Sequence, residues 1–171
     1  MKRIAKFEKV SYEQFNKDML KIWPDMPDHR IKDIYHAIKL PKRATKGSAG
    51  YDFFAPFLIF LRDGRDIKFP TGIRVKMEDG WVLKMYPRSG LGFKYRLQFD
   101  DTVGIIDSDY YYSDNEGHIH AKLTNDNRKD ECVEIYPGEA FGQGIFVEFG
   151  ITEDDEVTAV RNGGFGSTDR R

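Results

Sequence analysis

A single cysteine, Cys132, occurs in the 171 residues. No internal disulfide can form, a reducing compartment fits, and Cys132 reads as a small core or strand residue. No apolar run approaches the roughly 20 residues that a membrane-spanning helix needs. Met1-Lys2-Arg3-Ile4-Ala5-Lys6 leads into charged and polar residues and not into the apolar stretch of a signal peptide, so a cytoplasmic location is expected. An excess of one charge is missing too: 27 basic side chains face 28 acidic ones, for a net charge of −1. That argues against a grip on polymeric nucleic acid, whose affinity comes mainly from neutralising phosphates. A small phosphorylated ligand needs only a few well-placed donors. Repeats and low-complexity tracts are absent. With 40% apolar and 32% charged residues, the length suits one soluble domain with a real core.

The chain divides by periodicity into 1–41, 42–160 and 161–171. In the first part Phe15, Met19 and Ile22 recur at helical spacing until Pro24. Asp28 can cap a second helix with the stripe Ile31, Ile34, Tyr35 and Ile38, ended by Pro41. This predicts a helical N-terminal extension whose aromatics pack into the core. From residue 42 the period becomes two. Ile73, Val75 and Met77, the turn Glu78-Asp79-Gly80, then Trp81, Leu83 and Met85 predict a hairpin. Further alternation at Ile119–Leu123, Val133–Ile135 and Ile145–Phe149 predicts a β-sandwich or barrel. The polar, glycine-rich tail has almost no core formers and reads as a mobile arm.

Four segments concentrate glycine, hydroxyls, aspartate and arginine: Ser48-Ala49-Gly50-Tyr51-Asp52, Pro87-Arg88-Ser89-Gly90-Leu91-Gly92, Gly104-Ile105-Ile106-Asp107-Ser108-Asp109-Tyr110, and Arg161 with Gly163-Gly164-Phe165-Gly166-Ser167-Thr168. A guanidinium fork beside a hydroxyl and an unhindered amide suits phosphate oxygens. The arm repeats that recipe, and its amides can form an anion nest. It lacks a P-loop's lysine and preceding strand. Both loops can equally be surface turns. Asp107, at the end of an apolar strand, is either a turn residue bonding nearby backbone or a general base for water. His118 and His120 share a strand face, but a metal site needs a third ligand and none has matching spacing, so they read as ordinary strand residues.

In this order the segments resemble the motifs of the trimeric deoxyuridine triphosphatases (dUTPases). A looser fourth motif matches Gly138-Glu139-Ala140-Phe141-Gly142-Gln143. The resemblance runs from about residue 43 to the C-terminus. It implies an all-β, jelly-roll-like sandwich that forms homotrimers, with active sites between subunits and a C-terminal arm from a neighbour closing over each. It implies hydrolysis of dUTP to dUMP and pyrophosphate with Mg²⁺, limiting uracil entry into DNA and supplying dUMP. Asp107 would activate the water that attacks the α-phosphorus, and Asp52 would hold a water of the Mg²⁺. Arg88, Ser89, Gly90 and Gln143, with Arg161, Ser167 and Thr168 of the arm, would bind phosphates. Backbone around Val103 and Gly104 would read uracil, Tyr110 would lie against the deoxyribose, and Phe165 would stack on the base.

The chain departs from the family pattern at several places. Six residues, Tyr111–Glu116, lengthen the tip before Gly117. Asp101 stands where the family often has asparagine and is expected to point away or act through its backbone. Ala140 replaces an arginine, and Asp169 a glycine. The N-terminal extension lies outside the common pattern and could serve an oligomer or partner contact. Two alternatives are a deoxycytidine triphosphate deaminase of the same fold, disfavoured by the arm, and a nucleotide-binding regulatory protein, disfavoured by intact Asp107, Arg88 and Arg161. A jelly-roll carbohydrate or protein binder would leave both anion-binding loops unexplained.

Overall fold

The computed structural model describes residues 2–159 and 161. Twelve strands among them pair only in antiparallel fashion. The largest sheet has the order β2 (Lys42–Arg43), β3 (Tyr51–Phe54), β12 (Ala140–Glu148), β7 (Trp81–Pro87) and β9 (Gly104–Ile106). A second sheet has β5 (Asp66–Pro70), β10 (His120–Asn125) and β8 (Leu97–Phe99). Two-stranded ladders join β1 (Ala5–Lys9) to β6 (Ile73–Met77) and β4 (Ile59–Leu61) to β11 (Val133–Ile135). Between the layers of this jelly-roll-like sandwich lie Phe53, Phe69, Leu83, Leu123 and Phe141, all fully buried. The rings of Phe69 and Phe141 meet edge to face at 5.1 Å, a geometry that suits their quadrupoles.

The alternation placed the strands well and their partners less well. β6 and β7 flank the turn at Glu78–Gly80, yet they form no ladder with each other. Glu78 N–H donates to Ile4 C=O and Phe149 N–H donates to Gly80 C=O, so each end of the turn serves a different neighbour. β6 joins β1, and β7 joins β12 and β9. The turn is a crossing between sheets, not a hairpin. Cys132 is likewise corrected: it lies exposed just before β11.

The helical segment falls between β1 and β2, not ahead of the first strand. Helix α1 (Tyr12–Ile22) is capped by Ser11, whose Oγ accepts from Gln14 N–H at 3.1 Å. Helix α2 (Asp28–Ala37) has Pro27 at the cap position, so Asp28 sits inside the first turn, bonded to Tyr12 and paired with Lys32. An acid there favours the positive end of the helix. Phe15, Met19 and Ile31 are fully buried in the sandwich core. Burying each such side chain contributes about 1.5–3 kcal/mol. The helices are thus part of the core.

Candidate active site

Two clusters of polar side chains gather at opposite ends of β7. At its C-terminal end Arg88 precedes α3 (Ser89–Tyr95), and Arg88, Ser89, Gly90, Leu91, Glu134, Ile135, Glu139 and Ala140 line a cleft of about 420 Å³. The large sheet brings the other predicted residues here. Gln143 on β12 lies directly across from Asp52 on β3 and from Tyr86 on β7. Directly opposed residues share a sheet face. Gln143 Nε2 donates to Pro87 C=O at 3.3 Å, and Arg88 Nε lies 3.4 Å from Asp52 Oδ1. Gly50 allows this packing, because a Cβ there would meet Gln143 Oε1 at 2.5 Å. Asp52, Arg88, Ser89, Gly90 and Gln143 therefore gather at one end of β7, a candidate anion cradle with a carboxylate beside it.

Asp107 belongs to the other cluster. β9 is an edge strand with Ile105 half-exposed and Ile106 buried, and Asp107 follows with 44% of its side chain open to solvent. The expected cost of a buried carboxylate does not arise. Its main chain, not its carboxylate, makes the turn: Tyr110 N–H donates to Asp107 C=O. That leaves the carboxylate available, and Arg161 takes it, with Nη2 at 2.5 Å from Asp107 Oδ2 and Nε at 3.0 Å from Asp109 Oδ1. The same guanidinium lies over the Tyr110 ring, 5.8 Å from its centre. Arg161 thus reaches the aspartate of its own chain, where the resemblance had it on a neighbour's phosphates. Phe165, Ser167 and Thr168 lie outside the described residues.

Leu83 pairs with Ile106, so Asp107 falls abreast of Val82, six residues before Arg88. At about 3.3 Å per residue, some 20 Å of strand separates the base candidate from the candidate phosphate cradle. No triphosphate spans that within one chain.

The turn before β9 connects two sheets, since β8 and β9 are not paired with each other. Thr102 N–H donates to Phe99 C=O and Val103 N–H to Asp101 C=O, with Thr102 at φ +62°. A β-branched residue in that region is strained, and such strain collects at ligand-contacting turns. Val103 is half-buried and Gly104 buried. Asp101 acts in the turn through its carbonyl, but its carboxylate leans back: a Cβ on Gly104 would be 3.5 Å from Asp101 Oδ2. Tyr110 sits in a 3₁₀ turn, Ser108–Tyr112, only 5% exposed. Its hydroxyl donates to His118 C=O at 2.8 Å and accepts from Asn115 at 2.8 Å. Burial pushes its hydroxyl pKa upward, so it stays a neutral donor.

The chain matches the dUTPase family over residues 36–169. The chain belongs to the dUTPase family. It is 42% identical over 134 residues to the deoxyuridine 5'-triphosphate nucleotidohydrolase of Lactococcus lactis, covering 77% of this chain and 88% of that one. Its fold is similar to the dUTPase of Streptococcus mutans, with a TM-score of 0.63, 32% identity, and coverage of 86% and 98% of the two chains. A mutant dUTPase from phage phi11 of S. aureus, described with a structural Mg(II) ion, shares the fold at a TM-score of 0.63 and 18% identity, over 92% and 98% of the chains. One residue was missed. Asp18, on the helical segment, meets the His118–His120 pair, with the ligand atoms of all three within 4.8 Å of one another. A buried acid on a helix looks in sequence like any residue of a solvated face.

Proposed function

We propose that this protein hydrolyses dUTP to dUMP and pyrophosphate in sites shared between copies of the chain. The observation that carries the shared site is the separation of Asp107 from the Arg88 cradle along one strand. A substrate held by both must lie between two chains, and a closed homotrimer supplies three equivalent sites. Exposed apolar side chains fit such contacts: Phe93 is 91% exposed, and Ile105, Ile151 and Val157 are open as well.

In each site Asp107 takes a proton from the water that attacks the α-phosphorus. Arg88, with Ser89, Gly90 and Gln143, holds phosphate oxygens in line, and such a transfer depends mainly on positioning and charge neutralisation. Asp52 offers a hard carboxylate oxygen beside that cradle, the ligand class Mg²⁺ takes, and would hold the ion through one of its waters. Charge developing on the leaving pyrophosphate would be neutralised by an ion so held. Arg161 must leave Asp107 for the base to work, and phosphate oxygens compete for the same guanidinium. Its departure also uncovers the Tyr110 ring for the deoxyribose. Ser167, Thr168 and Phe165 of the arm complete the clamp and the base stack. The strained turn at Thr102 presents backbone around Val103 and Gly104 to uracil. Among the described residues no helix is long and apolar enough to cross a membrane. A cytoplasmic enzyme that keeps dUTP from DNA synthesis fits.

The test is pyrophosphate release from dUTP, dCTP, dTTP and UTP, with and without Mg²⁺. Release confined to dUTP and dependent on the ion is expected. Ammonia from dCTP, or no release from any of the four, would overturn the assignment.

A further inference from the structure

Two features of the chain exceed what the motifs require: the helical segment and the longer loop Tyr111–Glu116. They meet at a buried cluster. Asp18 of α1 and His118 are both buried, at 2% and 0% exposure, and His120 lies beside them. Three ligand-type groups this close suggest a metal. The hydrogen bonds argue otherwise. Gly72 N–H donates to His118 Nε2 at 2.8 Å, so that nitrogen carries no proton. His118 Nδ1–H therefore donates to Asp18 Oδ2, at 2.7 Å. A metal on Nδ1 would push the proton to Nε2, where it would face another donor. The carboxylate is already satisfied, accepting from Gln14 at 2.6 Å and Lys21 at 2.8 Å. Burial alone would raise its pKa, but the bonds from His118, Lys21 and Gln14 outweigh burial and hold it well below the usual carboxylate range.

What this network holds in place is the peptide of His118. That carbonyl is the acceptor for the Tyr110 hydroxyl and for His120 Nδ1, and His118 N–H donates to Asn115 C=O. Gly117, at φ +69°, folds the loop back so closely that a Cβ there would lie 2.7 Å from Tyr110 O. A second tether reaches the same helix. Glu116 accepts from Ser11 N–H at 2.8 Å and from Ser11 Oγ–H at 2.6 Å, and Ser11 is the cap of α1. Arg74 stacks on Tyr111 with its guanidinium carbon 3.6 Å from the ring centre, and Tyr111 bonds Glu8 of β1. The loop is therefore tied to the N-terminal segment at both ends, by Tyr111 to Glu8 and by Glu116 to Ser11.

We infer that Asp18 is a positioning residue for substrate selection: through His118 it fixes the hydroxyl, and hence the ring plane, of Tyr110. The inference rests on the reading of Tyr110 as the surface against the deoxyribose. α1 then acts as a rear support for the wall that excludes a 2′-hydroxyl, and the energy is transmitted through two successive hydrogen bonds.

The experiment compares steady-state kinetics on dUTP and UTP for the full chain and for Asp18→Asn, Tyr110→Phe, the double variant and Tyr110→Ala. Asp18→Asn should raise KM for dUTP roughly tenfold while kcat moves little, since small displacements of a positioning group cost about that much or more. The dUTP-to-UTP ratio of kcat/KM should fall with it. In the Tyr110→Phe background, where the linking hydroxyl is gone, Asp18→Asn should add nothing. A folded Asp18→Asn with unchanged KM and ratio overturns the inference, and so do effects of Asp18→Asn and Tyr110→Phe that simply add. If Asp18→Asn does not fold, Glu116→Gln, which loosens the same loop from Ser11, carries the same expectation and the same refutation. If Tyr110→Ala lowers the ratio and Asp18→Asn does not, the inference alone fails. If Tyr110→Ala leaves the ratio unchanged, the reading of Tyr110 fails and the inference falls with it.

Discussion

Asp107 and Arg88 stand at opposite ends of one strand, one abreast of Val82 and the other just past Pro87. On the proposed function each is half of a site, the other half coming from another copy. Mixing makes this measurable. Asp107→Asn and Arg88→Ala should each be nearly inactive alone. Unfolded together at equal amounts and refolded, they should regain activity, because random assembly gives roughly one quarter of the interfaces an intact half from each chain. Separately refolded controls should stay inactive. No recovery in the mixture would place both residues in a site within one chain.

Asp107→Asn by itself keeps the size of the side chain and removes the base. We expect kcat to fall by about 10²–10⁴, the usual contribution of a general base, with dUTP binding retained by the cradle. Stopped-time pyrophosphate assays alongside calorimetric titration with dUTP separate the two effects. Unchanged turnover would assign the base elsewhere.

Phe15 is fully buried and touches Tyr35 and His118. Phe15→Ala should cost about 3–5 kcal/mol, the range for emptying a packed aromatic site, read as a lower urea midpoint with one cooperative transition. A change below about 1 kcal/mol, far under that range, would mean that the helices ride on the sandwich without supporting it.

Stability should also depend on pH through His120. Burial, aided by the neighbouring His118 ring, holds its imidazole down at about 4, against about 6.5 in an unfolded chain. The folded state thus prefers the neutral ring. Its contribution is complete above about pH 6.5 and is lost as the pH falls toward 4, at most about 3 kcal/mol. Asp18 works in the same direction, but its depressed pKa places its loss at lower pH, beginning only near the ordinary carboxylate value. Asp18, His118 and Lys68 are the charged or titratable neighbours acting on His120. Urea melts at pH 7, 5.5 and 4.5 should show the decline, and His120→Asn should flatten it. An equal slope in the variant would assign the loss to other groups.

Thr102 bears a left-handed backbone that asparagine tolerates better. Thr102→Asn should stabilise by about 1 kcal/mol and leave the preference for dUTP over dCTP intact, as the proposed reading of uracil by the backbone of this turn requires. A loss of preference would give the threonine side chain a direct role.

The sequence made some of this legible and hid the rest for identifiable reasons. Alternation located β6, β7 and β10 because each buries one face. It could not show that Glu78 and Gly80 serve Ile4 and Phe149, so a sheet crossing looked like a hairpin. β1 went unseen because Phe7 is the only large apolar residue in Ala-Lys-Phe-Glu-Lys, too little to set a period. The motifs singled out Arg88 and Asp107, but neighbouring motifs in a chain carry no distance, and only the register of β7 with β9 reveals the gap between them. Asp18 was invisible because its partner is a hundred residues away.

The helices lie downstream of β1, and this order matters to anyone who shortens the protein. Val10 N–H already bonds Gly72 C=O, so the chain is stitched to the sandwich before α1 begins. Trimming from the N-terminus strips a strand first and leaves β6 with a raw edge, whereas cutting out residues 12–37 alone demands a bridge back to β2. A clean excision of the helices is thus a loop replacement, and a variant made by simple truncation would report on a damaged sheet.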